Sequence, residues 1–171
     1  MPRGRADIAN TALRIFLQEI GAAYDAQRGL QPYKKAKHFE QIKAFFDGRC
    51  CYCGTTFTPA SPAVQDHLIP VNKTALGLHA WGNIVPACPG CNSKKHLHDW
   101  RDFIIERAGA NATERHARVK AFLKEYGYKP PFDLRDVADE LYDDVGAIAM
   151  TLVTAKVHRM SAKLGTSSSG F

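Results

Sequence analysis

Two pairs of cysteines constrain the fold of this chain more than any other feature. Cys50 and Cys53 form one C-x-x-C pair, and Cys88 and Cys91 form a second. A C-x-x-C turn brings two thiolates close enough to share one metal ion, and two such turns can complete a tetrahedral zinc site. Because four thiolates leave no coordination position open, the spacing predicts a structural Zn²⁺. The fifth cysteine, Cys51, is expected to pack in the interior or to remain free.

The segment around these cysteines indicates why a metal ion would be needed. Residues 50–96 contain few long apolar runs and many Gly, Pro, Asn and Thr residues, so they can bury little apolar surface on their own. A bound metal ion would supply the missing folding free energy. The alternative is a set of redox-active or disulfide-bonded cysteines, which this spacing favours less strongly.

The distribution of charge favours a polyanionic partner. The chain of 171 residues carries a net charge of +6, yet residues 132–144 hold six acidic residues against Arg135. That segment therefore carries −5, which leaves about +11 for the rest of the chain. A basic body suits DNA or RNA. The alternative interpretation is an ordinary solvated surface.

The ends and the hydropathy of the chain favour a cytoplasmic location. The sequence has no run of about 18 or more apolar residues, so we expect no membrane span. The basic N-terminus lacks the apolar segment of a secretory signal. The small, polar residues after Leu164 are expected to form a disordered tail.

Apolar periodicity predicts an α+β fold that is mostly helical, with a central strand–strand–helix unit flanked by N- and C-terminal helices. We expect strands at 63–71 and 84–87, and a helix that starts near Cys91, passes His96 and continues over 99–108. A further helix should open at Asn111 with a capping box completed by Glu114 and stop at Gly127. Other helices are expected over 6–26, 33–47 and 134–164. The predicted segments are 1–47 (N-terminal helices), 48–110 (the core), 111–164 (C-terminal helices) and 165–171 (the tail).

The last predicted helix has a heptad-like apolar seam. Its apolar residues alternate in steps of four and three, and they are Leu134, Ala138, Leu141, Val145, Ile148 and Leu152. One interpretation is a long helix packed across its own domain. The other is a surface for a homodimer or for another partner.

An Asp-His pair lies between the two cysteine pairs, and an asparagine follows the second. Asp66 and His67 fall on the first predicted strand, and Asn92 directly follows Cys91. A carboxylate and an amide oxygen can belong to the ligand shell of Mg²⁺ or Mn²⁺. A histidine that is neutral near pH 7 can take a proton from water. The plainer interpretation is a solvated aspartate beside a histidine whose hydrogen bonds are satisfied.

The runs AVQDHLIPVNK and GNIVPACPGCNSKKH resemble the HNH endonuclease family, and in particular its members with a ββα-metal fold and a four-cysteine zinc site. The resemblance covers about residues 48–98 and follows the order C-x-x-C, D-H-x-x-P, a loop, and N-x-x-P-x-C-x-x-C-N-x-x-K. The family implies that His67 is the general base, that Asp66 and Asn92 bind the catalytic metal ion, and that Asn83 holds the loop and orients the His67 ring. This chain has Asn92 where many members have histidine. That choice is similar to the HNH domain of RNA-guided nucleases, which is active, so we do not expect Asn92 to abolish activity.

Several basic residues near this motif are further candidates. Lys95 matches the trailing lysine of the family, and Lys94, Lys95 and Arg101 are expected to contact nucleic acid. His96 is a candidate third ligand of the catalytic ion or a residue on the helix surface. His79 and His98 are interpreted as surface or substrate-loop residues.

These features predict a metal-dependent HNH endonuclease that hydrolyses phosphodiester bonds in DNA, by nicking or by double-strand cleavage. The expected cofactors are a structural Zn²⁺ and a catalytic Mg²⁺ or Mn²⁺, and the expected partner is double-stranded DNA. RNA stays open as a substrate, as does the setting, with restriction and mobile elements among the candidates. The alternative is a zinc-stapled nucleic-acid-binding module without catalytic activity.

Overall fold

The computed structural model describes residues 3–130 and 133–166. Within these residues the chain is mostly helical and contains a two-stranded antiparallel sheet, which confirms the predicted fold class. The elements are α1 (Arg3–Gln27), α2 (Lys35–Phe45), β1 (Val64–His67), β2 (Ile84–Ala87), α3 (Pro89–Lys95), α4 (Trp100–Ala108), a 3₁₀ turn (Gly109–Asn111), α5 (Ala112–Glu125) and α6 (Arg135–Thr166). None of the described helices is long and apolar enough to cross a membrane.

The chain divides into two compact units. One spans Phe16–Phe132, and the other combines Met1–Ile15 with Asp133–Phe171. All the cysteines and all the candidate site residues belong to the first unit, which we call the central unit. The four-part division expected from the sequence stays a prediction.

The sheet lies at the centre of the central unit. β1 and β2 pair with Val64 opposite Ala87 and His67 opposite Ile84. β2 is buried along its whole length, whereas β1 is half-buried. α2 packs against β2, and α3 packs against β1. The core around the sheet is aromatic and aliphatic, and its fully buried members include Ile42, Phe46, Tyr52, Phe103, Ile104 and Phe122.

β1 is shorter than the predicted strand at 63–71. It ends at His67, and the following residue makes one more bond across the sheet, from Leu68 N to the Asn83 carbonyl. The chain then turns, because the carbonyl of Pro70 accepts bonds from Asn72 N and Gly77 N within the same loop. A proline has no N–H to extend the ladder, so the strand stops before it.

The helical stretch predicted from Cys91 to residue 108 is two helices. α3 begins at Pro89, with Cys88 as its N-cap, and it ends at Lys95 because His96 takes a positive φ of 42°. Asp99 then caps α4, since its carboxylate accepts the backbone N–H of Arg101. A proline in the first turn and an aspartate cap are common signals of a helix start.

The predicted capping box of α5 is wrong, although the helix itself is confirmed. Asn111 stands at the N-cap position but makes no side-chain bond to the first turn. Glu114 instead pairs with the guanidinium of its neighbour Arg115, whose side chain is buried. The stop at Gly127 is confirmed by a φ of 55°, which glycine adopts readily.

The smaller unit contains the long C-terminal helix. α6 matches the prediction to within two residues at each end. Its Gly146 lies close to α1, where a Cβ would stand 2.8 Å from the Arg5 Nε. Of the predicted tail, Gly165 and Thr166 belong to α6, and residues 167–171 lie outside the described residues.

Candidate functional site

The four cysteines of the C-x-x-C pairs converge on one point. Their Sγ atoms all lie within 4.8 Å of one another, and the Sγ atoms of Cys53 and Cys88 are 3.9 Å apart. A tetrahedral Zn²⁺ with Zn–S bonds of about 2.3 Å requires sulfur–sulfur distances of about 3.8 Å. The donor set and its spacing therefore fit a structural zinc ion, as predicted.

Cys51 packs beside this cluster without joining it. It is fully buried, its backbone N–H bonds the Pro86 carbonyl on β2, and burial raises the pKa of its thiol. Interaction with Cys51 and Cys91 lowers the pKa of the Cys50 thiol. Cys51 is thus a buried neighbour of the cluster, in line with the prediction that it packs in the interior.

Arg107 is a neighbour of the cluster that the sequence did not indicate. Interaction with Cys91 raises the pKa of the Arg107 guanidinium. Four thiolates around Zn²⁺ carry a net charge of −2, so a guanidinium at this position offsets part of it. The only sequence signal is the placement of Arg107 four residues after Phe103 on one face of α4.

The Asp66 carboxylate is held by two hydrogen bonds. The Tyr52 hydroxyl donates to Oδ2 at 2.8 Å, and the backbone N–H of His67 donates to Oδ1 at 2.8 Å. Burial raises the pKa of Asp66, while Tyr52, the charge of Lys95 and the His67 N–H oppose that rise. Tyr52 is itself fully buried between two cysteines. The turn that carries Cys50 and Cys53 therefore also fixes the orientation of Asp66.

The structure corrects the prediction for Lys95. Its side chain is only 1% exposed, and its Nζ has no hydrogen-bond partner within the described part of the chain. Lys95 follows Cys91 by four residues on α3 and so shares its buried face. Burial lowers the pKa of Lys95, and the charge of Asp66 opposes that shift. An interior lysine does not fit the expected contact with a phosphate at the protein surface.

Lys94 and Arg101 are exposed, as a contact to nucleic acid requires. Lys94 lies in the last turn of α3, and Arg101 lies in the first turn of α4, where it pairs with Asp99 at 3.1 Å. Arg101 also lines a cavity of about 540 Å³ together with Ile69, Pro70 and Lys129. The cavity thus adjoins the segment that follows His67.

His67 lies at the end of β1 and pairs with a second histidine. Its Nε2 is 3.0 Å from Nδ1 of His79, and the two ring centroids are 5.2 Å apart. Both rings are half-buried. The sequence predicted His79 to be a surface or substrate-loop residue. His67 and His79 are twelve residues apart, and the sequence does not indicate how the loop between them folds back.

Asn83 ties the two ends of the β1–β2 loop together. It is fully buried, and its Oδ1 accepts the N–H of Ile69 at 2.8 Å, while its Nδ2 donates to the carbonyls of Ile69 and Leu78. Gly77 lets the two ends of the loop approach each other, because a Cβ there would lie 2.0 Å from the Ile69 carbonyl oxygen. The geometry agrees with the expected loop-holding role; an orienting effect on the His67 ring stays a prediction.

The remaining candidate ligands are exposed on or beside α3. Asn92 lies in the middle of α3, with its backbone N–H bonded to the Cys88 carbonyl. Since α3 packs on β1, the helix and the strand that carries Asp66 are neighbours. His96 lies just beyond the last residue of α3, and His98 contacts Phe103 through their ring edges. The metal-ligand roles of Asp66, Asn92 and His96 stay predictions.

Comparisons with known proteins agree with the resemblance drawn from the sequence. Residues 50–97 match the family model for the HNH endonuclease. A similar curated protein is the "SPbeta prophage-derived putative HNH endonuclease YoqL" of Bacillus subtilis (strain 168), at 24% identity over 100 residues. The match covers 52% of this chain and 40% of that protein, so the chain spans less than half of that relative's length. No solved structure matches the chain.

Proposed function

We propose, from the HNH endonuclease domain at residues 50–97, that this chain is a metal-dependent endonuclease that hydrolyses phosphodiester bonds in double-stranded DNA. One observation carries the proposal. Asp66 and His67 are consecutive on β1, and α3, which is anchored by two of the clustered cysteines, packs against that strand. The scaffold thus brings a carboxylate, an imidazole and the Asn92 helix into one small region.

His67 is the proposed general base. Its imidazole takes a proton from a water molecule, and the water oxygen attacks the phosphorus in line with the 3′-oxygen. The bond from phosphorus to the 3′-oxygen breaks, and the leaving oxygen is protonated from solvent. The products therefore carry 5′-phosphate and 3′-hydroxyl ends.

Asp66 and Asn92 are the proposed ligands of a catalytic Mg²⁺ or Mn²⁺, with His96 as a candidate third ligand. Carboxylate and amide oxygens suit these hard cations, and the bonds from Tyr52 and the His67 N–H leave both Asp66 oxygens with acceptor capacity. When bound, such a cation would stabilise negative charge on the phosphate and on the leaving oxygen.

Three exposed basic residues are the proposed contacts to the DNA backbone. Arg101 and Lys129 line the cavity beside Pro70, and Lys94 lies in the last turn of α3. Contacts of this kind position the duplex and carry no sequence information themselves. Lys95 is left out of this set because it is buried.

The test is a cleavage assay with several substrates and metals. Purified protein is incubated with supercoiled plasmid, linear duplex, single-stranded DNA and RNA, in Mg²⁺, in Mn²⁺ and in EDTA, and the product ends are mapped. We expect metal-dependent cutting of duplex DNA with 5′-phosphate ends. Binding without cleavage under every condition would instead support the zinc-stapled binding module.

The exposed face of α6 supports a homodimer. Ile148 is 60% exposed and Leu152 is 59% exposed, four residues apart on one face of the helix. Apolar side chains this exposed favour burial against another surface. We propose that a second copy of the chain provides it.

Sedimentation at varied concentration tests the dimer. The wild-type chain should shift from monomer to dimer as concentration rises, and Leu152→Glu should remain monomeric because a carboxylate resists burial. Thr154→Glu places the same charge on the polar face of α6 and should still dimerise. A wild-type chain that stays monomeric at all concentrations contradicts the proposal.

A further inference from the structure

We propose that His79 is a positioning residue for His67, which accepts the Nε2–H of His67 at its own Nδ1 and thereby assigns the lone pair of His67 to Nδ1. The catalytic part of this inference rests on the proposed function. The pairing itself rests on the 3.0 Å separation of the two nitrogens.

The chemistry of imidazole leaves two arrangements of the pair, and the proposed role of His67 as the base selects between them. A neutral imidazole carries one N–H and one lone pair on its two nitrogens. Two neutral rings can bond at this distance only if one donates and the other accepts. With His67 as the donor through Nε2, its Nδ1 keeps the lone pair that can take a proton from water. With the roles reversed, Nδ1 of His67 would be protonated and could not act as the base.

The loop presents His79 in a fixed place because α1 packs directly on its backbone. The His79 N–H faces the Leu17 carbonyl at 3.4 Å. A Cβ at Gly21 would lie only 2.6 Å from the His79 carbonyl oxygen. Such close approach is possible only for glycine, so α1 and the backbone of His79 touch with no side chain between them.

The residues on both sides of His79 are also anchored. Leu78 N donates to the Tyr128 hydroxyl at 3.0 Å, and Trp81 N donates to Asp25 at 3.1 Å. Asp25 is fully buried and pairs with Arg28 at 2.6 Å. A partner held this firmly can pre-organise a catalytic group without ordering itself at the time of reaction.

The His79 ring is held between His67 and Tyr33. The Tyr33 ring meets it edge-on with centroids 5.3 Å apart, and the Tyr33 hydroxyl bonds Gln65 on β1 at 3.1 Å. The strand that carries His67 therefore also braces the far side of His79. This arrangement restricts rotation of the His79 ring and keeps Nδ1 directed at His67.

Two variants of the full chain with zinc bound distinguish the hydrogen bond that His79 accepts from the volume that its side chain fills. Asn at position 79 can keep an acceptor oxygen close to the place of Nδ1, whereas Leu fills a similar volume without an acceptor. We expect His79→Leu to lower kcat by about 10- to 100-fold, the usual cost of losing an orienting partner, with KM little changed. His79→Asn should retain most of the activity. Equal kcat in wild type and in His79→Leu would overturn the proposal.

A second measurement needs neither a variant nor turnover. The ¹⁵N chemical shifts of the imidazole nitrogens distinguish the two tautomers when the rings are neutral. We expect wild-type His67 in the Nε2–H form, and finding the Nδ1–H form would overturn the proposal. If the wild-type chain cut no nucleic acid, the proposed function would fail, whereas the tautomer would still decide whether His79 pairs as inferred.

Discussion

His67→Ala should abolish cleavage while leaving fold and nucleic-acid binding intact. Loss of a general base costs about 10² to 10⁴ in rate. The ring is half-buried at the end of β1, and its removal leaves the backbone pairing with Ile84 in place. Single-turnover cleavage of duplex DNA measures the rate, and a filter-binding assay at fixed salt measures affinity.

The matched control is His116→Ala. His116 is a histidine of the same unit that is half-buried like His67, and its ring packs against Trp100 with the ring centroids 5.0 Å apart. Its loss should leave turnover unchanged. If His67→Ala kept wild-type turnover, the assignment of the base would be wrong. If His79→Ala abolished cleavage in the same assay, the role of the base would pass to His79.

Cys88→Ser should strip the zinc ion and unfold or loosen the central unit. Cys88 is both a member of the cluster and the N-cap of α3, where its Sγ accepts the N–H of Cys91. Serine is a good N-cap, so the variant keeps the helix start and removes the zinc ligand. Structural zinc supplies about 10 to 16 kcal/mol in zinc-finger peptides, so we expect a large fall in melting temperature.

Zinc content and thermal melting measure this effect together. The control is Cys51→Ala, which changes a buried cysteine outside the cluster and should keep one zinc ion per chain with only a modest loss of stability. A Cys88→Ser protein that melted normally without zinc would refute the structural role of the metal. Cleavage should fall with the metal, because α3 would no longer be fixed against β1.

The sequence predicted correctly those features of the fold that depend on short-range patterns of residues. The cysteine spacing identified the four cysteines that the structure brings together, and the boundaries of β2 at Ile84 and Ala87 agree with the structure. The long helices were confirmed because their apolar periodicity runs over many turns. These features depend on neighbours in the chain, which one sequence contains in full.

The sequence failed where tertiary contacts decide. Lys95 looked like a phosphate contact, but its position one helical turn after Cys91 turns it inward. The position of Glu114 predicted a capping box, but its carboxylate forms an ion pair with the buried Arg115 instead. His79 contacts His67 because the β1–β2 loop folds back, and Tyr52 contacts Asp66 because the turn between Cys50 and Cys53 points it there. No local sequence pattern predicts either contact.

The β1–β2 loop has a hydrogen-bonded base, where the sequence is constrained, and an exposed tip, where it is free to vary. Asn83 and Gly77 clamp the chain at Ile69 and Leu78, whereas Thr74 and Ala75 at the tip are exposed. Insertions or exchanged sequences at the tip would therefore leave β1, with Asp66 and His67, undisturbed. The tip is the segment whose sequence can change without moving these two residues, so it is the place where a new binding preference could be introduced.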